Sequence, residues 1–284
     1  MTLSISTHEF FLLRRHIEEQ CGIHLGDDKS YLVENRLSNL VRECGCSSFG
    51  DFYHRIRYSP QSRALEDAVL DAITTNETLW FRDLHPFRVL RESVLPRLSG
   101  EIAAGRRERI AIWSAACSTG QEPYSIAMTA LDPAPGNARE GGWEHRVRIT
   151  ASDVSNKSLA AAREGRYSEA AIRRGLPPAY LRRYFRKVEN QWEIDDRVRE
   201  MTFFTRYNLK TAPPRTFGSF DVVFLRNVII YFSDEFKRAL FEKVAGLMSP
   251  RGVLFLGTGE TISGYTDAFE VVEDAGCIYY RVRP

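Results

Sequence analysis

The chain has few of the features that mark secreted, membrane-bound or nucleic-acid-coating proteins. Its five cysteines are scattered, and no His or second Cys pair lies near Cys44 and Cys46 at zinc-ligand spacing. We therefore expect reduced thiols, no metal site and a cytoplasmic location. No apolar stretch approaches the ~20 residues that cross a bilayer, and the start does not resemble a secretion signal, so we expect no membrane insertion. The net charge of +2 gives no support for a nucleic-acid partner.

The length of 284 residues is that of about two domains, and the composition is ordinary for a globular protein. The first part of the chain has helical periodicity and no strand signal. Ser6 and Glu9 form a capping box, and one apolar face follows before Gly22: Phe10, Leu13, Ile17 and Cys21. Two more helical faces are Val33, Leu37 and Val41, and then Leu65, Val69 and Ala72. We predict an all-helical domain over residues 1–76, with a linker and connecting helix over 77–98.

Beyond this linker, short apolar stretches alternate with helical ones. The stretches lie at 110–114, 147–152, 203–207, 222–225 and 253–256, and 277–282 adds an edge strand. Because they are apolar on both faces, they predict an α/β domain over 99–284 whose parallel sheet is covered on both sides. The alternation breaks between 171 and 202. There, a turn at Glu189 and Asn190 before Trp192 predicts a small inserted antiparallel β-subdomain.

Polar side chains and small residues follow four of the predicted strands. In open α/β sheets, ligands bind beyond the carboxyl ends of the strands. A loop of small residues follows the first strand and leads into a helix opened by Pro123. The next three strands are followed by Asp153, then by Asn208 and Leu209, and then by Arg226, Asn227 and Val228. Ordinary turn residues would explain any one of these, but they explain all four poorly.

The strand-end residues favour a nucleoside cofactor without a pyrophosphate. The loop before Pro123 is neither Gly-x-Gly-x-x-Gly nor a Walker loop, because Gly120 is its only glycine and no Gly-Lys-Ser/Thr follows. Asp153 lies where an acid can accept from both hydroxyls of a ribose. S-adenosylmethionine is the common cofactor of this kind.

Four segments make a family resemblance specific. Residues 74–83, 114–125, 151–153 and 226–232 resemble motifs of the chemotaxis receptor methyltransferase (CheR) family, in the family's order and spacing. The similarity also includes Lys29 and Arg36 and so extends over nearly the whole chain. It implies a class I methyltransferase fold: a seven-stranded, mostly parallel sheet with a small antiparallel β-subdomain, preceded by an all-helical domain. It also implies an S-adenosylmethionine-dependent protein-glutamate O-methyltransferase.

The resemblance also implies the site residues. The cofactor contacts would be Asn76, Thr78, Arg82, Glu122, Asp153, Asn208, Leu209, Asn227 and Val228. Arg82 would bind the methionine carboxylate, Glu122 the ammonium and Asn208 the adenine edge. Without the family, an ion pair of Arg82 with Asp83 or Glu77 would be the favoured interpretation. Trp80 and Phe81 are interpreted as packing residues.

The substrates implied by the resemblance are glutamate side chains on the cytoplasmic helices of bacterial chemoreceptors. A glutamate with a pKa near ~4.3 is ionised at neutral pH, so no general base is needed. Tyr231 is our candidate for positioning this carboxylate, and a packed strand-end aromatic is the equal alternative. Residues 163–187 carry eight basic side chains, which either steer acidic helices towards the site or form a solvated face.

Two departures from the family pattern bear on function. Thr258 stands where members often have a His. The predicted hairpin near Trp192 lacks a glycine-containing insert, so we expect no dependence on a receptor's C-terminal pentapeptide. We also expect a monomer, because no large apolar helical stripe is left over.

Two other functions stay open at this point. One is a methyltransferase acting on a small molecule or nucleic acid, although residues 227–231 lack the Asn-Pro-Pro-Tyr type motif of many amino-group methyltransferases. The other is a module that binds the cofactor without turnover. The intact set of Arg82, Glu122, Asp153 and Asn227 argues against lost cofactor binding, but it does not exclude lost chemistry.

Overall fold

The computed structural model describes residues 3–132, 143–274 and 276–283, and it begins with four helices. They are α1 (Thr7–Cys21), α2 (Ser30–Glu43), α3 (Phe49–Tyr58) and α4 (Ser62–Ile73), with a 3-10 turn at Asp27–Lys29. Their apolar faces enclose one core that includes Leu13, Val33, Leu37, Phe49 and Val69. No helix in the described part of the chain has the length and apolar character needed to span a membrane.

The ends of α1 are set by local interactions. The Glu9 N–H donates to the Ser6 hydroxyl (N···O 3.3 Å), and the Ser6 N–H donates to the Glu9 carboxylate (N···O 2.9 Å). These two bonds satisfy N–H groups that a helix start leaves unpaired. At the other end Gly22 has φ +79°, a left-handed conformation that glycine adopts without cost. The predicted start and end of this helix are therefore confirmed.

Helix α3 was not predicted, although the sequence carries its signals. Ser48 caps it by accepting from the Asp51 N–H (N···O 3.0 Å), and Phe49, Phe52 and Ile56 are buried on one face. The helix is short, so its periodic pattern spans only about two turns and gives a weak signal.

A nearly continuous helical stretch connects the helical part to the sheet. It consists of α5 (His85–Val89), a π-helical segment (Leu90–Val94) and α6 (Leu95–Ala103). Pro96 has no N–H and so cannot donate to the carbonyl four residues earlier. Just before it, the Leu95 N–H donates to the Leu90 carbonyl, five residues back, which is the hydrogen bond of a π-helix. We attribute the π-helical segment to this proline.

A seven-stranded sheet forms the larger domain. Its strands are β1 (Ile110–Ala115), β2 (Val147–Asp153), β6 (Thr202–Arg206), β7 (Phe220–Leu225), β8 (Met248–Leu256), β9 (Phe269–Asp274) and β10 (Cys277–Val282). Their order is β6-β2-β1-β7-β8-β10-β9, and β10 pairs antiparallel with both neighbours while the other pairs are parallel. The predicted α/β class is confirmed. The half-exposed edge strand β9 was not predicted.

Helices cover both faces of this sheet. They are α7 (Gln121–Leu131), α8 (Asn156–Glu164) and α12 (Asp234–Gly246), and 3-10 turns lie at Trp143–Arg146 and Ile229–Tyr231. Along β1 the buried side chains alternate, with Ile112 in the core on one face and Trp113 in the core on the other. Burial on both sides explains why the central strands consist mainly of apolar residues.

A second sheet of three antiparallel strands is inserted between β2 and β6. Its strands are β3 (Arg166–Ser168), β4 (Phe185–Val188) and β5 (Gln191–Ile194), in the order β3-β5-β4, and its short helices are α9 (Glu169–Arg173), α10 (Pro178–Tyr184) and α11 (Asp196–Arg199). The β4–β5 hairpin has a two-residue turn in which Glu189 has φ +53°. The predicted inserted sheet is therefore present, while the domain boundaries remain predictions.

The inserted subdomain, through its small sheet and α9, holds the linker at Trp80. The Trp80 backbone N–H donates to the Arg174 carbonyl and its indole N–H donates to the Ala171 carbonyl, both at 3.1 Å. The Trp80 ring also packs edge-on against Tyr167 and Phe185. The predicted packing position of Trp80 agrees with this burial.

We expect Gly175→Ala to destabilise the protein. Gly175 has φ +100°, and an added Cβ would overlap the Trp80 carbonyl oxygen. The strained backbone and this overlap should lower the free energy of unfolding by about 1–3 kcal/mol, measured by urea titration. Gly100→Ala is the matched control, because Gly100 lies inside α6 with open space around it and should gain about 0.5–1 kcal/mol. Equal effects of the two variants would contradict the strain assigned to Gly175.

Candidate active site

A cleft of about 340 Å³ lies at the carboxyl ends of β1, β2, β6 and β7, between the sheet and the helical domain. All the predicted site residues line it: Asn76, Thr78, Arg82, Glu122, Asp153, Asn208, Leu209, Asn227, Val228 and Tyr231. The helical domain contributes the 23–26 segment, Lys29 and Leu32. Parallel strands explain the gathering, since their carboxyl ends meet at one edge of the sheet.

The loop after β1 is shaped by left-handed backbone and by one acid. Ala116 and Ser118 have φ values of +57° and +50°. The Cys117 N–H donates to the Ser152 carbonyl (N···O 2.9 Å), and the Ser118 N–H donates to the Asp153 carboxylate (N···O 2.8 Å). The end of β2 therefore fixes the loop that follows β1.

Asp153 is buried but keeps capacity for a ligand. It is 6% exposed, and its other carboxylate oxygen accepts from the Ser155 N–H (N···O 2.9 Å). Burial raises the pKa of Asp153, and these backbone hydrogen bonds oppose the rise. Because a carboxylate offers about four acceptor positions, each oxygen retains one, as binding of two ribose hydroxyls would require.

Glu122, in the first turn of α7, is paired with a buried arginine. The Ser114 hydroxyl donates to its Oε1 (O···O 2.8 Å), and Arg226 Nη1 donates to its Oε2 (N···O 3.1 Å). Burial raises the pKa of Glu122, while the Arg226 charge and both hydrogen bonds lower it.

The Arg226 side chain is 1% exposed and joins three parts of the chain. Besides Glu122, its Nη2 donates to the Arg82 carbonyl (N···O 2.7 Å) and to the Asp83 carboxylate (N···O 2.6 Å). Sequence reasoning named Arg226 only as part of a motif and gave it no role. The available signal was an ionisable residue directly after the apolar run 222–225 of β7.

Arg82 lines the cleft, and its guanidinium has no hydrogen-bond or ion-pair partner in the described part of the protein. Asp83 pairs with Arg226, and Glu77 pairs with Arg174 (N···O 2.8 Å). Across residues 3–132, 143–274 and 276–283, no hydrogen bond or ion pair engages the Arg82 side chain. The alternative interpretation of Arg82, an ion pair with Asp83 or Glu77, is therefore wrong.

Two hydrogen bonds within the protein use part of the hydrogen-bonding capacity of the Asn208 side chain. Its Nδ2 donates to the Gln20 carbonyl at the end of α1 (N···O 2.6 Å), and its Oδ1 accepts from the Lys210 N–H (N···O 3.0 Å). One N–H and one acceptor position are left for an adenine edge. The bond to Gln20 also attaches the helical domain to this side of the cleft.

Tyr231 is half-buried at the mouth of the cleft, within the 3-10 turn after β7. Its carbonyl accepts from the His24 N–H (N···O 2.8 Å), so the helical domain also borders this residue. No hydrogen bond of the Tyr231 hydroxyl is found among the described residues. The neighbouring Ile230 is exposed and lines the same cleft.

The basic segment 163–187 is largely neutralised by acids. Glu193 pairs with both Arg166 and Arg186, and the remaining pairs are Arg173–Glu169, Arg174–Glu77 and Arg183–Asp132. Three of these acids, Glu193, Glu77 and Asp132, lie outside the segment. The local excess of positive charge seen in the sequence is therefore much smaller in the folded protein, which weakens the steering hypothesis.

These features define the class of protein. A mostly parallel seven-stranded sheet, a small-residue loop after β1 and a buried acid at the end of β2 are those of a class I S-adenosylmethionine-dependent methyltransferase. Family models agree along the chain. One described as "CheR methyltransferase, SAM binding domain" matches residues 76–277, and one described as "CheR methyltransferase, all-alpha domain" matches residues 8–74.

Curated relatives are similar over their whole length. Chemotaxis protein methyltransferase 1 of Pseudomonas aeruginosa is 42% identical over 99% of this chain and 100% of its own. The chemotaxis protein methyltransferase of Vibrio parahaemolyticus is 42% identical over 99% of both chains, and Cher2 of Pseudomonas putida is 38% identical over 99% and 100%. This chain belongs to the CheR family of chemotaxis methyltransferases.

We expect Arg226→Met to be strongly destabilising, because it leaves Glu122 without its buried positive partner. The free energy of unfolding at pH 7 should fall by about 3–5 kcal/mol, measured by urea titration. Arg226→Met combined with Glu122→Gln should recover part of this loss, since the unpaired buried charge is then removed. If the double variant is no more stable than Arg226→Met, an unpaired Glu122 charge is not the cause of the instability.

Proposed function

We propose that this chemotaxis methyltransferase transfers the methyl group of S-adenosylmethionine to glutamate side chains of bacterial chemoreceptors, giving glutamate methyl esters. One observation carries the proposal: the residues that the family resemblance assigns to the cofactor line a single cleft, together with Tyr231, our own candidate for the substrate carboxylate. An arginine and an acid suit the amino-acid part of the cofactor, and a second acid suits its ribose. A tyrosine hydroxyl suits the substrate carboxylate.

The cleft residues fit the three charged or polar parts of the cofactor. The Arg82 guanidinium, which has no partner among the described residues, suits a carboxylate that it can bind through two N–H groups. Glu122 faces the cleft as an acceptor for an ammonium, and Asp153 retains acceptor positions for two hydroxyls. When bound, S-adenosylmethionine supplies a methyl group on a positively charged sulfur, and that group is open to attack by a carboxylate.

The protein's part in the reaction is positioning and exclusion of water. The substrate glutamate is ionised at neutral pH, so no residue has to remove a proton. The Tyr231 hydroxyl donates a hydrogen bond that holds the carboxylate at the mouth of the cleft. The 23–26 segment and Ile230 border this position and limit the access of water. Holding the reacting atoms about 3–3.5 Å apart then supplies most of the catalysis.

Three further parts of the proposal concern how the enzyme works in the cell. It acts in the cytoplasm on receptor helices, and it acts as a monomer without nucleic acid. It does not depend on a receptor's C-terminal pentapeptide. The support for this last point is the β4–β5 hairpin. Its turn consists of only Glu189 and Asn190, so it contains no glycine-containing insert.

The test is transfer of a labelled methyl group from S-adenosylmethionine to membranes that carry receptors from the same organism. We expect label on the receptor that mild alkali releases as methanol, as a carboxyl ester requires. Asp153→Ala and Arg82→Gln should each lower the transfer at least about tenfold, because each removes a group that binds the cofactor. Arg106→Gln is the control, since Arg106 is exposed and lies before β1, at the opposite edge of the sheet.

The outcomes of this assay separate the alternatives. Cofactor binding without label on any receptor would favour a binding module and contradict the proposed transfer. Label that resists alkali would contradict ester formation. Receptors shortened by their last five residues should be labelled at the same rate as full-length receptors, and a large loss of rate would contradict independence from the tether.

We expect Tyr231→Phe to lower kcat about tenfold while the KM for S-adenosylmethionine stays unchanged. The reason is that the variant loses one hydrogen bond to a charged substrate group but keeps the ring packing. Steady-state kinetics with receptor membranes measure both constants. Tyr58→Phe, on the exposed end of α3, is the matched control. An unchanged kcat in Tyr231→Phe would assign Tyr231 to packing alone.

A further inference from the structure

A buried carboxylate outside the predicted site residues holds the loop after β7. Glu260, which follows β8, is only 9% exposed. Its Oε2 accepts from the N–H groups of Asn227 (N···O 2.6 Å) and Gly257 (N···O 2.7 Å). Its Oε1 accepts from the N–H groups of Val228 (N···O 2.9 Å) and Ile229 (N···O 3.0 Å). All four of these donors are backbone groups.

The loop needs such an acceptor because of its conformation. Asn227 has φ +57°, a left-handed value that turns the chain sharply at the end of β7. The turn aims three successive N–H groups, those of residues 227–229, at one point. Unpaired buried N–H groups are costly, and a carboxylate satisfies several of them together with charge-assisted hydrogen bonds.

The end of β8 is built to let the carboxylate approach. A Cβ at Gly257 would lie 2.5 Å from Asn227 Nδ2 and 2.7 Å from Glu260 Oε2. The Glu260 N–H also donates to the Gly257 carbonyl (N···O 2.9 Å), which closes a turn between the two residues. The neighbouring strand ends β7 and β8 are thereby joined through one side chain.

We propose that Glu260 is a positioning residue for cofactor binding and methyl transfer, acting through the backbone of the Asn227–Val228–Ile229 loop. Asn227 and Val228 line the cleft, and Tyr231 follows directly in the 3-10 turn that this loop begins. The inference rests on the proposed placement of the cofactor in this cleft. Glu260 itself needs no contact with the cofactor or the substrate.

The chemistry requires a carboxylate and not merely a polar side chain. A glutamine amide offers one oxygen, and its NH₂ group would face two of the backbone N–H donors. Glu260→Gln should therefore release part of the loop. Glu260→Asp keeps an acceptor at each oxygen but is one methylene shorter, so it should retain part of the function.

The experiment measures the Kd for S-adenosylhomocysteine by calorimetry, at a temperature where circular dichroism finds each variant folded. We expect Glu260→Gln to raise this Kd about tenfold or more, and Glu260→Asp to lie between it and the parent protein. In the receptor assay, Glu260→Gln should also lower kcat, because Tyr231 is displaced along with the loop. Glu235→Gln, on the exposed first turn of α12, is the matched control.

A purely structural role predicts a different result. In that case the folded fraction falls, which lowers the binding stoichiometry, while the Kd and the KM of the folded protein stay at the parent values. That result would overturn the inference. If Glu260→Gln does not fold, Glu260→Asp decides the question, and an unchanged Kd in it would overturn the inference equally.

Asp153→Ala, measured alongside, separates this inference from the proposed cofactor site. If Asp153→Ala leaves the Kd unchanged, the placement of the cofactor in the cleft is wrong, and the inference about Glu260 fails with it. If Asp153→Ala weakens binding and Glu260→Gln does not, only the inference about Glu260 fails.

Discussion

The buried guanidinium of Arg226 sets the arrangement around the cleft. A charge with almost no access to water needs charged and polar partners, and here these come from α7 through Glu122 and from the linker through Asp83 and the Arg82 carbonyl. The linker is therefore held across the end of β7. This leaves the Arg82 side chain in the cleft, on the lining that it shares with Asp153.

Buried acids also fix the loops at the strand ends. Their carboxylates accept hydrogen bonds from the backbone N–H groups of these loops. Asp153 binds the loop after β1 and the start of α8, and Glu260 binds the loop after β7. Loops fixed in this way present their remaining polar groups without reorganisation when a ligand arrives. The helical domain completes the cleft, since its Gln20 carbonyl and His24 N–H bond to residues on the rim of the sheet.

The elements that sequence reasoning predicted are those with strong local signals. The capping box of Ser6 and Glu9 and the stop at Gly22 define α1 within a few residues. Burial on both faces makes β1, β2 and β7 mainly apolar, although β2 carries Arg148 and β7 carries Asp221. Strands β3 and β9 were missed because β3 has three residues and β9 is a half-exposed edge with charged side chains. Their conformation depends on pairing with partner strands more than on their own composition.

The sequence by itself determined the fold class, because periodicity and caps act over short stretches of chain. Its motifs carried the family resemblance that, together with our candidate Tyr231, placed ten residues in the site. Only the folded chain adds the 23–26 segment, Leu32 and Ile230 to the lining of the cleft. The tertiary structure decided which charges pair. Asp83 stands beside Arg82 in the sequence, yet it bonds to Arg226, 143 positions away, and Glu77 bonds to Arg174. Spacing carries no information about such pairs. They form because folding buries one arginine where acids are near and leaves the other facing the cleft.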